Sequence, residues 1–533
     1  MFEKKLIIVV AGILFALMVS SGYAYQAFRG PTELIHWDKN KAFNGYTMLS
    51  PRLGDYTFLI DMEGNVVHTW PKASTPQLLE NGHVLGRARN NDRVSGFKEF
   101  DWDGKVAWEY YDTRKNHSPH HDHERIFNKK LNAYTTIYIS NKSLSHDEVI
   151  TAGADPSRSR NYEGAQMDTI VEVDMDGNIV WEWWAFNHLV QDIDPSKENY
   201  VGAGNKIPYY PGRLDINWGK TVRRDWLHFN SLDHNEKRDQ IVVNTVDGEF
   251  YVIDHGNTFI PGDPDRSIAL AAGPRGDFMY RFGDPARHGQ GEKPSYPADW
   301  NQGSLGDKQI GSSHSSQWVD DGCPGAGNFL VFDNGRYVFG DYRRSSVVEI
   351  NPYLDLNKKN TGHYVNPPDA GYFQTNSVYN TDNRSSRKYS NQVVWWFSAR
   401  EAGNFYAGNG GGCQRLPNGN TIIMSGYGHT FEVTPGDSQK EPEVVWEYIN
   451  PLTIEGPLKY ITKDYINDEM ALSSFNAFRF GPGYPAFKGR NLRPKGLITE
   501  LFARGELEQY QTQEAGKGKG GKGKRGKGKG GKK

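Results

Sequence analysis

The chain has 533 residues and a net charge of −2, with 37% hydrophobic and 24% charged residues and 14 Trp, 29 Tyr and 59 Gly, a composition that permits a large, turn-rich folded core. Nine basic and no acidic residues lie between Lys517 and Lys533; without them the body carries −11, which makes nucleic acid a poor partner for it. Two cysteines, Cys323 and Cys413, exclude a disulfide scaffold or a Cys-rich zinc module and leave a single bridge open.

The N-terminus places Lys4 and Lys5 before an unbroken apolar run, Leu6 to Val19, followed by Ser20-Ser21-Gly22-Tyr23-Ala24. This reads as an export signal cleaved after Ala24, or as an uncleaved anchor extended through Phe28 in the inner membrane. Either way the body is expected outside the cytoplasm, in the periplasm or an equivalent compartment. The expected division is 1–28 signal or anchor, 29–500 folded domain, and 501–533 a Gly/Lys-rich disordered tail.

Between the ends the chain repeats itself. One phrase joins an apolar strand, a D-x-x-G-x turn and a second strand ending in aromatics: Phe58 to Trp70 with Asp61 and Gly64, Phe100 to Tyr110 with Asp101 and Gly104, and Val173 to Trp183 with Asp174 and Gly177. Alternation and the Gly turn make each a β-hairpin. Looser copies run from Phe431 to Tyr448 and around Val393 to Phe397. A second phrase precedes them, starting at Gln77, Glu124, Ser231, Gln317 and Gln414, each followed by a short strand. Pairing the phrases gives five units of about four strands. The unpaired halves at Phe58 to Trp70 and Ser474 to Phe480 supply a sixth, so the expected fold is all-β, a six-bladed β-propeller closed by strands from both chain ends.

Aligned on the second phrase, His121, His228 and His314 each stand three residues before its start in three successive units, where the other two copies have Ser74 and Gly411. First strands of propeller blades line the central channel, so these imidazoles are expected to converge at one mouth. Asp122, Asn230 and Trp226 are placed to orient the rings. His117, His120, His123 and His429 read as exposed. Spacing leaves two chemistries open: transition-metal binding, or a histidine nucleophile whose neighbours and an arginine stabilise an anion. There is no H-E-x-x-H, C-x-x-C, G-x-S-x-G or phosphate-binding loop.

Several motifs together resemble the bacterial arylsulfate sulfotransferases: His120-His121-Asp122, Asp225-Trp226-Leu-His228-Phe-Asn230-Ser231, Gly276-Asp277-Phe-Met-Tyr280-Arg281-Phe-Gly283, His314-Ser-Ser-Gln317-Trp with Pro324-Gly-Ala-Gly-Asn328, Gln414-Arg-Leu-Pro-Asn-Gly-Asn-Thr421, and Phe475-Asn-Ala-Phe-Arg479. The resemblance spans Gly45 to Leu492. It implies a periplasmic six-bladed propeller that moves a sulfuryl group from an aryl sulfate to a phenolic acceptor, with no nucleotide sulfate donor, cofactor or metal. His314 is then the histidine that becomes sulfurylated, and His121 and His228 its partners at the sulfate and the phenolic oxygen. Asn230 joins them at the substrate. Family members carry an arginine in a Ser-Ser-Arg phrase where this chain has Asn244-Thr245-Val246; Arg336 and Arg415 are the expected replacements. A non-catalytic propeller binding sulfated or aromatic ligands is the alternative.

Overall fold

The computed structural model describes residues 30–507 apart from 53, 158–164, 205, 219–224, 296–305, 336–343, 367–388, 400–404, 438–439, 454–455 and 462–475. The signal segment, most of the Lys-rich tail, Arg336 and Phe475 lie outside the described residues. Among those described, no helix is long and apolar enough to cross a membrane.

Six antiparallel sheets follow one another along the chain. Blade 1 runs Ser74–Leu78, Val84–Arg89, Ser95–Phe100, Val106–Tyr111; blade 2 runs His117–Asn128, Ala133–Leu144, Ala165–Asp174, Ile179–Trp184. Blade 3 runs Phe229–Asn235, Gln240–Thr245, Glu249–Asp254, Tyr280–Phe282; blade 4 runs Ser313–Trp318, Phe329–Asp333, Ser346–Ile350, Val393–Phe397. Blade 5 starts at Gly412–Arg415 and ends at Val444–Ile449. Blade 6 takes its inner strand Ala477–Phe480 from the end of the chain and its other three, Tyr46–Leu49, Tyr56–Ile60 and Val66–Pro71, from the beginning. The fold is the six-bladed propeller read from the repeats, closed by strands from both ends.

The repeated turn phrase has a local cause. Asp61 Oδ1 accepts the N–H groups of Glu63 and Asn65, both at 2.9 Å, while Gly64 takes φ +84°. Asp174 does the same for Asp176 and Asn178, with Gly177 at φ +85°. The aromatics that end each phrase then tie one blade to the next. Trp108 Nε1 donates to Met175 O at 2.9 Å, Trp446 Nε1 to Met62 O at 2.9 Å, and Trp395 Nε1 to Pro435 O at 2.8 Å. In each case the acceptor sits in or beside the corresponding turn of the following blade, and Trp446 is fully buried there.

Two features lie beyond the sequence reading. The strand Glu33–Trp37 adds a fifth, outermost strand to blade 5 by pairing with Val444–Ile449, covering that sheet edge. The helix Ile498–Ala503 sends Ile498 and Leu501, with Leu507 after them, into the cluster built on Leu49, Phe58 and Trp446. The folded body thus continues to Leu507, past the expected boundary at 500. Both cysteines are free: Cys413 is buried, and Cys323 Sγ lies 3.5 Å from Arg415 O.

Blades 2 and 3 are joined by a buried histidine. His255 Nε2 lies 2.8 Å from Glu172 and Nδ1 2.6 Å from Asp239, and Trp181 packs on the ring at 5.0 Å. Burial opposes its charge, but the two carboxylates outweigh burial and raise its pKa to about 9. A folded-state pKa above the ordinary 6.5 stabilises fully below pH 6.5, and that stabilisation is lost as pH rises through 9. Urea midpoints between pH 6 and 10 should fall across that window in the wild type, and His255→Gln, destabilised throughout, should show a shallower fall.

Candidate active site at one mouth of the channel

The inner strands are linked by a repeated clip, in which a polar side chain of one strand bonds the backbone of the next. Gln77 Oε1 accepts Arg125 N–H at 2.7 Å, Glu124 Oε2 accepts His234 N–H at 2.8 Å, and Asp233 Oδ2 accepts Trp318 N–H at 2.7 Å. Gln317 Nε2 donates to Cys413 O, and Gln414 Oε1 accepts Arg479 N–H at 2.8 Å. Counting back three residues from each clip gives Ser74, His121, Asn230, His314 and Gly411. His121 and His314 therefore are repeat-equivalent, as the sequence indicated. His228 is not: the acceptor in its blade is Asp233 rather than Ser231, so His228 lies two residues upstream of the matching position.

A β-bulge brings His228 back to the others. The inner strands of blades 1 to 4 all slip register near their start, with positive φ at Thr75 (+49°), His121 (+51°), His228 (+53°) and Ser315 (+54°). Such backbone costs roughly 1–3 kcal/mol per non-glycine residue and persists where surrounding structure enforces it. Its effect is to turn side chains into the mouth. The rings of His121 and His228 lie 4.5 Å apart, and His314 is near enough for its charge to act on His121.

Each imidazole is held differently. His314, 5% exposed, has Nδ1 at 2.6 Å from Asn334 Oδ1. The Asn334 amide cannot be reversed, because its Nδ2 donates to Ala407 O at 2.7 Å and Gly410 O at 2.8 Å. Oδ1 must accept, so Nδ1 carries the proton and Nε2 the lone pair. His228 Nδ1 donates to Asp225 Oδ2, and Asn141 Nδ2 reaches the other oxygen of that carboxylate at 3.5 Å. Burial works to raise the Asp225 pKa, but the His228 hydrogen bond and charge, helped by His120, bring it below the usual value, so Asp225 is ionised. His121 Nδ1 lies 2.7 Å from Nδ1 of His120, whose Nε2 is 3.2 Å from buried Asp168. Burial, then the charges of His120, His228, Arg87 and His314, hold the His121 pKa well below 6.5, so this ring is neutral.

The remaining expected residues divide. Asn230 is buried, donating to Ser313 O at 3.0 Å and accepting from Asn244 Nδ2 at 2.7 Å. Its amide thus braces blade 3 against the strand that carries His314. Asp122 accepts the N–H groups of Leu232 and His123, at 3.0 and 3.1 Å, and Trp226 is in the apolar core; neither bonds a mouth imidazole. Arg415 is apart from the cluster: it is buried, ion-paired to Glu349 at 2.5 Å, and stacked over Trp395 at 4.7 Å. His120, His123 and His429 are not the exposed residues expected: His120 joins the cluster, His123 is 4% exposed, and His429 is buried at 2.8 Å from Glu447. Asp225, Asn334 and Arg87 were given no role in the sequence reading: Asn334 and Arg87 act through residues distant in the chain, while Asp225, three residues before His228, stood within the same motif.

Level with the clips and beyond them, the channel widens into a cavity of about 470 Å³ lined by Asp122, Glu124, Asp233 and Asp320 but by none of the three mouth histidines. Burial raises the pKa of Asp122 to about 6 and of Asp233 to about 7, and puts Glu124 well above its usual value. Among the described residues, the side chains spaced to hold a metal ion are His234, Asp239 and His255, outside the mouth cluster, and hydrogen bonds already join them.

A propeller with imidazoles of fixed tautomer at one channel mouth is built for acid, base or nucleophilic chemistry on a small ligand. Residues 32–246 match the arylsulfotransferase (ASST) family model, a resemblance over that stretch of the chain. The match includes His121 and His228 and ends at Val246, before His314. No curated protein matches the chain. Similar solved structures include Saccharomyces cerevisiae Sqt1 (8% identity, 74% of this chain and 70% of that chain, TM-score 0.29). Others are apo AztD from Citrobacter koseri (9%, 82% and 98%, TM-score 0.31) and the β-propeller domain of Myceliophteria thermophila Cps50 (Swd1) (9%, 78% and 89%, TM-score 0.31). These likenesses are too distant to bear on function.

The state of His121 is open to direct measurement. Histidine NMR signals followed down to about pH 5, where an ordinary imidazole with pKa near 6.5 is mostly protonated, should leave His121 in its neutral form. Titration of His121 near 6.5 would contradict the burial described for it.

Proposed function

We propose that the protein transfers a sulfuryl group from an aryl sulfate to a phenolic acceptor through a covalent intermediate on His314. The observation that carries this reading is the Asn334 lock, which leaves the Nε2 lone pair of His314 as the nucleophile beside two further imidazoles. In the first half-reaction Nε2 attacks sulfur, and the sulfur–oxygen bond to the aryl group breaks with its electron pair going to the phenolic oxygen. His228 protonates that oxygen from Nε2, with ionised Asp225 on Nδ1 stabilising the imidazolium form. Neutral His121 serves as an N–H donor to a sulfuryl oxygen. In the second half-reaction an acceptor phenol gives its proton to His228, its oxygen attacks sulfur, and the nitrogen–sulfur bond breaks to restore the lone pair on His314.

The apolar start of the chain fits an exported protein, in which the mouth would meet phenols and aryl sulfates outside the cytoplasm. We assign residues 1–28 to a signal or anchor.

The reading is tested by incubating the full chain with an aryl sulfate and a phenol, with and without a metal chelator. Transfer should occur in both, and His314→Ala should abolish it while the melting temperature holds. Asn334→Ala should lower kcat by roughly 10–100-fold, as loss of a group orienting a functional imidazole does, with little change in KM. Asn334→Asp, which keeps an acceptor for Nδ1, should recover part of the rate. Transfer that survives in His314→Ala would overturn the assignment.

A further inference from the structure

We propose that Arg87, on the second strand of blade 1, holds the anionic group of the ligand at the histidine mouth; this rests on the sulfuryl-transfer reading for its catalytic consequence, but not for its binding consequence. The placement follows from strand alternation. Within Val84–Arg89, Leu85 pairs with Gln77 and Arg87 with Ser74, which is the blade 1 counterpart of His121 and His314. Leu85 is fully buried and packs with Phe97 and with Tyr138 of blade 2, so its face of the strand is turned toward blade 2. Arg87 lies two residues further toward the mouth on that same face. Its charge accordingly acts on His121, Asp122 and His123, the residues of blade 2 at that height.

What marks Arg87 out is the lack of a direct ion pair: Asp122 acts on its charge without pairing with it. Other buried arginines of the structure have one: Arg125 with Glu99 at 2.7 Å, Arg281 with Glu249 at 2.8 Å, Arg415 with Glu349 at 2.5 Å and Arg479 with Glu432 at 2.5 Å. Arg87 is half-buried, and among the described residues it makes no hydrogen bond or ion pair. A half-buried guanidinium without an ion pair offers its five N–H donors to an acceptor that enters the mouth. A tetrahedral oxyanion beside His121 supplies paired oxygens that match the planar fork.

The strand position also explains how the chain manages with Val246. Leu85 opposite Gln77 corresponds to Val242 opposite Asp233, so Arg87 and Arg89 occupy in blade 1 the places that Asn244 and Val246 occupy in blade 3. Asn244 is spent on Asn230 and Ser313, at 2.7 and 3.1 Å. The cation that blade 3 lacks is thus offered across the mouth from blade 1.

The test uses the full chain with Arg87→Met and Arg87→Lys, and inorganic sulfate as the probe in calorimetry. Arg87→Met should weaken sulfate binding by roughly tenfold or more, with Arg87→Lys intermediate, because a point charge replaces a bidentate fork. Melting temperature should hold or rise in both, since a cation without a partner is removed or shortened. His121 should titrate at a higher pH in Arg87→Met, a change that a merely structural role would not produce. With an aryl sulfate and a phenol, Arg87→Met should lose on the order of 100-fold in kcat/KM. Arg87-dependent sulfate binding without transfer in the wild type supports this site and defeats the sulfuryl-transfer reading. Transfer in the wild type with sulfate binding unchanged in both variants overturns the role of Arg87 alone. Should Arg87→Met fail to fold, unchanged sulfate binding in Arg87→Lys overturns it equally.

Discussion

From blade 1 to blade 6 the inner strand of each blade holds that of the following one through a side chain bonded to backbone, and the mouth depends on those five links. A single bond of this type contributes about 1 kcal/mol net, somewhat more where the acceptor is charged. Its larger consequence is register. Gln77, Glu124, Asp233 and Gln414 each fix one backbone N–H of the following blade, so the residues three places upstream arrive at one height around the axis. A slip of one residue would turn every inner-strand side chain to the other face. At three junctions, blades 1–2, 4–5 and 5–6, the outer rim has its own bond from a tryptophan indole to the next blade's turn, so these blades are pinned at both inner and outer edges.

On that frame the bulges do the local work. Positive φ at His121 and His228 would be unfavourable in an open strand, yet the bonds on either side enforce it, and the two rings meet at 4.5 Å. The three imidazoles then differ by their partners rather than their type. An amide fixed by two carbonyls sets His314, an ionised carboxylate sets His228, and burial beside other positive groups keeps His121 neutral. Unlike roles for like side chains follow from unlike surroundings.

Much of the frame was legible because it repeats. The Asp and Gly of each turn phrase fall where a side-chain acceptor and a positive φ are required, so spacing alone located the hairpins, and the unmatched halves at the two ends located the closing blade. The equivalence of His121 and His314 was legible for the same reason. The offset of His228 was not, since a bulge adds a residue without altering the local pattern. Arg415 looked available because it follows an inner-strand residue, but its guanidinium turns away to Glu349. Arg87 lies on a second strand, and only the packing of Leu85 against blade 2 shows which way it faces. Asn334 was not singled out from the sequence, because its role comes from the carbonyls of Ala407 and Gly410, more than 70 residues onward.

The central claim is that the lone pair on His314 Nε2 becomes bonded to sulfur. Mixing the full chain with an aryl sulfate in the absence of acceptor, quenching, and mapping the modified peptide by mass spectrometry tests it most directly. One sulfuryl group on the peptide containing His314, discharged when a phenol is added before quenching, is the expected result. A sulfuryl group on any other residue, or turnover with no label at all, would contradict the account.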